Sequence, residues 1–266
     1  MAKNIDIFVC CHRPFKEIVK NDSYTNIFCG YKGDFDVNGS LVDNIGDNIS
    51  NLNGFYSELT AFYWVWKNLK FKDYVGFCHY RRYFSFMDNI PTFDKEKYSI
   101  ILPRPNDISF SMRKDYSFYH NVEDFDLMNE ILKEKYNFDE NFLNNVINDA
   151  QKMFICNMFV ATKEDFEEYC ELYFGVMKEF MHRRGWVSMQ DIYSYIEKNS
   201  NKYLKGYYPN NDVYYQARIG GFLSERLFTI WLYSKKYKYL EYSVNITETK
   251  YKEKKDDDFI VENVDF

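Results

Sequence analysis

The chain has 266 residues, 46% hydrophobic and 28% charged, a balance that excludes a disordered chain and provides a full core for one large domain. Its net charge of −6 argues against nucleic acid as the main partner, and no run reaches the roughly 18 uninterrupted apolar residues of a membrane span. Aromatic residues make up 20%, with 25 Tyr and 25 Phe against 11 Gly, enough for a core and also for rings that stack on sugars or bases.

The first predicted strand is "NIDIFVCC" (4–11), an apolar run that ends at His12, Arg13 and Pro14. "TNIFCGY" (25–31) predicts a short second strand, and the Gly-, Asn- and Asp-rich stretch 30–54 predicts a long polar loop of the kind that usually serves function. In "FYSELTAFYWVWKNLKF" (55–71), Leu59, Phe62, Tyr63, Trp66 and Leu69 recur at helical spacing and predict one helix. It leads into "YVGFCHY" (74–80), whose near-continuous hydrophobicity predicts a central strand buried on both faces. "YSIILP" (98–103) predicts another strand.

A helical section is expected over about 106–152, with Phe125, Met128, Ile131 and Leu132, then Phe142, Leu143, Val146 and Ile147, in helical period. "MFICNMFVA" (153–161) returns to strand. Thr162 with Asp165 starts a long amphipathic helix, Ser188 with Asp191 starts another, and "GGFLSERLFTIWLYSKK" (220–236) is the last. A single domain is expected over 1–245, followed by a charged tail over 246–266. The six cysteines form no CxxC pair and no zinc spacing, and no signal-peptide pattern opens the chain. Both features predict a soluble, cytoplasmic protein with reduced core thiols.

Strands alternating with helices predict an α/β sheet, in which ligands sit beyond the carboxyl ends of the strands. Two strand exits carry chemistry, Cys11-His12-Arg13 and "GFCHYRRYF" (76–84). Arginine forks match phosphate oxygens and stay charged, so Arg81 and Arg82 beside His79 are candidates to neutralise a diphosphate without a metal. The plainer alternative is one salt bridge and one solvated side chain. No GxGxxG or GxxxxGK[ST] occurs over residues 1–54. Asp34-Phe-Asp36 and Asp124-Phe-Asp126 have the DxD form that holds a divalent cation on a diphosphate, but neither follows a buried strand, and Asp124 and Asp126 suit a helix start.

Glu58 opens the aromatic helix and would need a partner there: the polar loop, His79 or an arginine. Tyr116 and His120 are candidate acceptor-sugar contacts or ordinary exposed loop aromatics. Glu225 beside Arg226 is a candidate general base or half of a structural ion pair. His182, Arg183 and Arg184 end a long helix, where cations are favoured.

The combination "GDNISNLNGFYSELTAFYWVWKN…YVGFCHYRRYF", then "YSIILPRP" and "GGFLSERLF", resembles a bacterial family of capsular and exopolysaccharide biosynthesis proteins regarded as glycosyltransferase-like. The resemblance spans roughly residues 4–235. It implies a GT-A-like fold, a Rossmann-type mixed sheet flanked by helices with a helical acceptor-side section. It also implies a nucleotide-sugar donor and a glycan or lipid-linked oligosaccharide acceptor. The expected activity is transfer of a hexose, with galactosyl as the candidate and UDP as the carrier, onto a capsule, exopolysaccharide or lipopolysaccharide glycan from the inner face of the plasma membrane. No cofactor is assigned: His79-Tyr80-Arg81-Arg82 stands where many such enzymes carry DxD, and a divalent cation, manganese or magnesium, stays open as the alternative without a convincing DxD to hold it. By fold analogy His12, Arg13, Asp47, Asn48 and Glu58 border the donor alongside the arginines. The chemistry asks for a base, for which Glu225 is the first candidate and Asp191 the second. A phosphosugar transferase and a non-catalytic carbohydrate-binding or assembly protein on the same scaffold are the alternatives.

Overall fold

In the computed structural model, which describes residues 4–17, 19, 21–94, 97–204, 211–236 and 239–247, strand β1 (Ile5–Cys11) alternates its side chains between two cores. Ile5, Ile7, Val9 and Cys11 enter one, while Phe8 and Cys10 enter the other. This two-sided burial is why the run is continuously apolar. Strand β2 (Tyr24–Phe28) and the short β3 (Leu41–Val42) follow, then helices α1 (Asn53–Tyr56) and α2 (Leu59–Asn68), and the central strand β4 (Tyr74–His79) with its hairpin partner β5 (Arg82–Phe84). Next come β6 (Ile100–Pro103), β7 (Asn106–Asp107), α3 (Met112–Tyr119), α4 (Val122–Tyr136), α5 (Glu140–Asp149), β8 (Lys152–Met153) and β9 (Phe159–Thr162). The remainder is α6 (Lys163–Arg184), α7 (Met189–Lys198), α8 (Ser200–Tyr203), α9 (Val213–Gln216), α10 (Ile219–Lys235), β10 (Tyr239–Tyr242) and β11 (Val244–Ile246).

Among the described residues the main sheet runs β10-β6-β9-β4-β1-β2-β3, with β5 paired to both β4 and β11. β1 is parallel to β2 and β4, whereas β9 is antiparallel to its neighbours β4 and β6, so the sheet is mixed. The expected mixed α/β sheet flanked by helices is the one observed. Helices α2, α6 and α10 cover one face through aromatic stacking. Phe62 lies 3.6 Å from Phe77 between ring centroids, and Phe228 lies 4.9 Å from Phe159. Removing one such buried ring costs roughly 3–5 kcal/mol. Helix α6 starts at Thr162, whose Oγ1 accepts from Asp165 N, and stops at Gly185 in the left-handed region.

Two expected elements are broken. The single helix predicted over 55–71 is α1 and α2, interrupted at Ser57 with φ 53°. The single strand predicted over 153–161 is β8 and β9, interrupted at Cys156 (φ 67°) and Asn157 (φ 47°). In both cases contacts from distant segments override a local periodicity that records only which side is buried.

The polar loop 30–54 is ordered around Asp43, which is fully buried and accepts from Gly30 N at 2.8 Å and Ser50 Oγ at 2.6 Å. Among the described residues no helix is long and apolar enough to cross a membrane. The charged tail expected over 246–266 lies, from 248 on, outside the described residues.

Candidate functional site

β1 and β4 are parallel neighbours, so both deliver their carboxyl ends to one edge of the sheet. A cleft of about 630 Å³ opens there. β4 turns back into β5 through a two-residue hairpin, Tyr80-Arg81, with His79 paired to Arg82. Tyr80 N donates to Cys10 O at 3.3 Å, which fastens this hairpin to the end of β1. The Tyr80 ring is buried under three cationic or ionisable groups. Arg13 Nε donates to its hydroxyl at 3.2 Å, His12 Nε2 lies 3.3 Å from the same hydroxyl, and the Arg81 guanidinium lies 5.1 Å from the ring centre. Desolvation by the cleft walls and the positive charges of Arg13, Arg81 and Arg218 push His12 down to about 4, so its imidazole is neutral near pH 7 although the residue is exposed.

The opposite wall is the break between α1 and α2. Ser57 has φ 53° and ψ −134°, a conformation that costs a non-glycine residue on the order of 1–3 kcal/mol. Three contacts hold it. Arg218 Nε donates to Ser57 Oγ at 2.8 Å, and Asn53 Nδ2 donates to Ser57 O at 2.7 Å. Helix α10 presses Gly220 and Gly221 against the break: a Cβ on Gly221 would lie 2.8 Å from Ser57 Oγ, and one on Gly220 would lie 2.7 Å from the Phe55 ring. This close approach is the physical reason for "GG" at the start of α10. Glu58 follows Ser57, lines the cleft and makes no capping bond to its own helix.

The third wall is the Cys156-Asn157 turn, on which cleft residues converge. His79 Nε2 lies 2.5 Å from Cys156 O, which can only accept, so the imidazole carries its proton on Nε2. Cys156 N donates to Glu225 Oε1 at 2.7 Å, and Asn157 Nδ2 donates to Glu58 Oε1 at 2.8 Å. Ser224 Oγ donates to Asn157 Oδ1 at 2.8 Å. Glu225 Oε2 accepts from Arg226 Nη1 at 2.9 Å, and Arg226 Nη2 in turn donates to Asp115. About a fifth of the Glu225 side chain faces solvent and the rest is packed. Burial pushes this carboxyl above its usual range, Arg226 and the Cys156 N–H pull it partly back, and the negative Glu58 adds to the rise.

The cleft therefore brings together His12, Glu58, His79, Arg81, Arg82 and Glu225 from the sequence reading, with Arg13 behind Tyr80. The other predicted site residues lie elsewhere. Asp47 and Asn48 tie the polar loop down at the far end of α2: Asn68 Nδ2 donates to Asp47 O, Tyr63 OH to Asp47 Oδ1, and Ser50 N to Asn48 Oδ1. Asp191 is the capping box of α7, accepting from Val187 N and from Ser188 N and Oγ, which holds its carboxyl below the usual range. Tyr116 and His120 are buried in and just after α3 rather than exposed on a loop. His120 stacks on Phe222 at 3.9 Å, and Tyr116 lies beneath Arg226.

Sequence reasoning missed several cleft residues, among them one cation and two aromatics. Arg218 stands at the N-cap of α10, and Tyr193 of α7 packs edge-on at 4.9 Å against Tyr214 of α9, which is 70% exposed. Arg218 stands two residues before "GG", whereas nothing in the linear chain sets Tyr193 and Tyr214 apart from its other tyrosines. Among the described residues no carboxylate forms an ion pair with Arg81, Arg82 or Arg218. No group of three or more His, Cys, Asp or Glu side chains among them is arranged to hold a metal ion. The two DxD pairs lie outside the cleft. Asp124 pairs with Arg184 and Tyr203, Asp126 with Arg113, and Asp36 accepts from Asn38 N in its own loop.

Residues 6–236 match the profile of a family described as Domain of unknown function (DUF4422). Among solved structures, the fold is similar to that of the apo form of WbbM, a bifunctional glycosyltransferase, with a TM-score of 0.72 and 24% sequence identity. The similarity covers 92% of this chain and 45% of the other, so the chain spans about half the length of that protein. Comparison with curated protein sequences gives no significant match.

Proposed function

We propose that this chain, which belongs to the DUF4422 family, is a glycosyltransferase whose arginines hold the diphosphate of a nucleotide-sugar donor. The observation that carries this reading is the convergence of Arg81, Arg82 and Arg218 on one cleft without a carboxylate ion pair among the described residues. Guanidinium forks without an ion-pair partner at the carboxyl edge of an α/β sheet suit phosphate oxygens. The fold likeness to a glycosyltransferase supports a sugar nucleotide as the phosphorylated ligand.

Transfer needs the developing charge on the departing diphosphate to be stabilised, and fixed cations in a walled cleft do this without reorganising. Neither DxD pair reaches the cleft, so transfer without a divalent metal is part of the same proposal. Full activity in excess chelator is the expected result. The finer reading is a UDP-linked hexose, galactosyl as first candidate, passed to a growing capsule, exopolysaccharide or lipopolysaccharide glycan or its lipid-linked precursor at the inner membrane face. It rests on the sequence resemblance. The exposed Tyr214, packed edge-on against the half-buried Tyr193, supports it as a ring surface for an acceptor sugar.

A thermal-shift panel of UDP, GDP, CMP and dTDP sugars tests the reading, with one or two expected to stabilise the protein. Arg81→Ala, Arg82→Ala and Arg218→Ala should each weaken that donor about 10- to 100-fold, the loss typical of a charge-assisted hydrogen bond of ~1.5–3 kcal/mol. A panel without any shift, answered only by glycans, returns the chain to the class of carbohydrate-binding proteins.

A further inference from the structure

Two carboxylates line the cleft, and their surroundings differ in a way that separates their chemistry. Glu225 has both oxygens engaged, Oε1 by the Cys156 N–H and Oε2 by the Arg226 guanidinium. A proton arriving on Oε2 would break an ion pair in which Arg226 is 6% exposed. Glu58 has only Oε1 engaged, by the neutral carboxamide of Asn157, and Oε2 accepts nothing from the described residues. Its position is nonetheless tightly built. Asn157 is held by Ser224 in a left-handed turn, and the strained Ser57 that sets the direction of Glu58 is braced by Arg218, Asn53 and Gly221. Strain retained and braced on both sides of one side chain marks a placed functional group.

We propose that Glu58 is the general base of the reaction and takes the proton of the acceptor hydroxyl on Oε2. This rests on the glycosyltransferase reading. In a single displacement the acceptor oxygen forms a bond to the anomeric carbon of the donor. The bond from that carbon to the diphosphate oxygen breaks, its electron pair leaves with the diphosphate facing the arginines, and the hydroxyl proton passes to Glu58. Direct displacement assisted by a base inverts the anomeric centre. Titratable groups that feel the charge of Glu58 include Cys10 of β1, Cys29 after β2, Cys156, Glu225 of α10, and Tyr169 and Tyr173 of α6, and the ionisable groups that share its cleft include His79, Arg82 and Arg218.

Glu58→Gln separates basicity from structure, because the glutamine carbonyl still accepts from Asn157 Nδ2. With a UDP-hexose that shifts the melting temperature as donor and a panel of aryl glycosides as acceptor, the variant should keep the melting temperature and the donor Kd. Its kcat should fall about 10²- to 10⁴-fold, the range for loss of a general base. Glu225→Gln, which removes one of the two carboxylates paired with the buried Arg226 and leaves Asp115, should instead lower the melting temperature. The assignment is overturned if Glu58→Gln turns over within threefold of the parent chain, or if the product keeps the donor's anomeric configuration by NMR. A parent chain that binds no nucleotide sugar and transfers none overturns the glycosyltransferase reading itself, a result distinct from either.

Discussion

Arg218 Nε donates a 2.8 Å hydrogen bond to Ser57 Oγ, joining residues 161 positions apart and locking the N-cap of α10 to the break that precedes Glu58. The same arginine thus braces one wall of the cleft and adds a cation to it.

The packing behind this bond sets the sign of a glycine substitution. Alanine in a helix is favoured over glycine by about 1 kcal/mol. At Gly220, however, the added Cβ would meet the buried Phe55 ring at 2.7 Å and the Phe55 carbonyl at 3.1 Å, neither of which has room to move. Overpacking of this kind costs about 1–3 kcal/mol, so Gly220→Ala should be destabilising on balance. A lower urea midpoint at unchanged slope is expected, and an equal or higher midpoint would show that α10 can shift away from α1.

His12 reports on the charge of the cleft. Held down to about 4 by its surroundings and by Arg13, Arg81 and Arg218, it should titrate far below an ordinary histidine in an NMR pH series. Removing one cation with Arg81→Ala should raise that midpoint. Adding UDP should raise it too, because a diphosphate offsets the arginines. A midpoint that UDP leaves unmoved would place the anion elsewhere.

Asp124 gives the fold an acid-dependent component. It is fully buried against Arg184 at 2.6 Å, and burial pushes its carboxyl up to about 6 despite Arg184 and the Tyr203 hydroxyl. An unfolded aspartate titrates near ~3.9, so between about pH 4 and 6 the folded chain holds a proton that the unfolded chain has released. The stabilisation from this group is complete below about pH 4 and is lost as pH rises through 6. Asp124→Asn should remove that slope from a plot of unfolding free energy against pH. Arg184→Ala, which strands a buried carboxylate, should cost about 3–5 kcal/mol at pH 7.

Thiol chemistry offers a test on the unmodified chain. Cys10, Cys11, Cys29, Cys78 and Cys170 are buried, whereas Cys156 is half-buried in the cleft wall. Burial pushes the Cys156 thiol up to about 11, Arg82 opposes this, and Glu225 and Glu58 add to it. Iodoacetamide at pH 8 should therefore label Cys156 first but slowly, as read by peptide mass spectrometry. Arg82→Ala should slow it further. Faster labelling of a core cysteine would contradict the burial pattern.

Much of the frame was legible in the linear chain, because burial on one face or on two writes a period into the residues. β1, β4, α6 and α10 stand where their apolar patterns put them, and the charged ends of β1 and β4 meet at one sheet edge as parallel strands require. What the tertiary structure alone decided lies at the two breaks. The periodicity of 55–71 and of 153–161 records which side is buried, and it carries no sign for φ. That sign comes from contacts far away in sequence: Gly220, Gly221 and Arg218 on Ser57, and Glu225 and His79 on Cys156. For the same reason Arg218 was invisible as a cleft residue, its partner being 161 positions away. Tyr116 and His120 read as loop residues although α10 covers them. The local rules fail where distant segments impose strain, and in this protein those places frame Glu58 and Glu225.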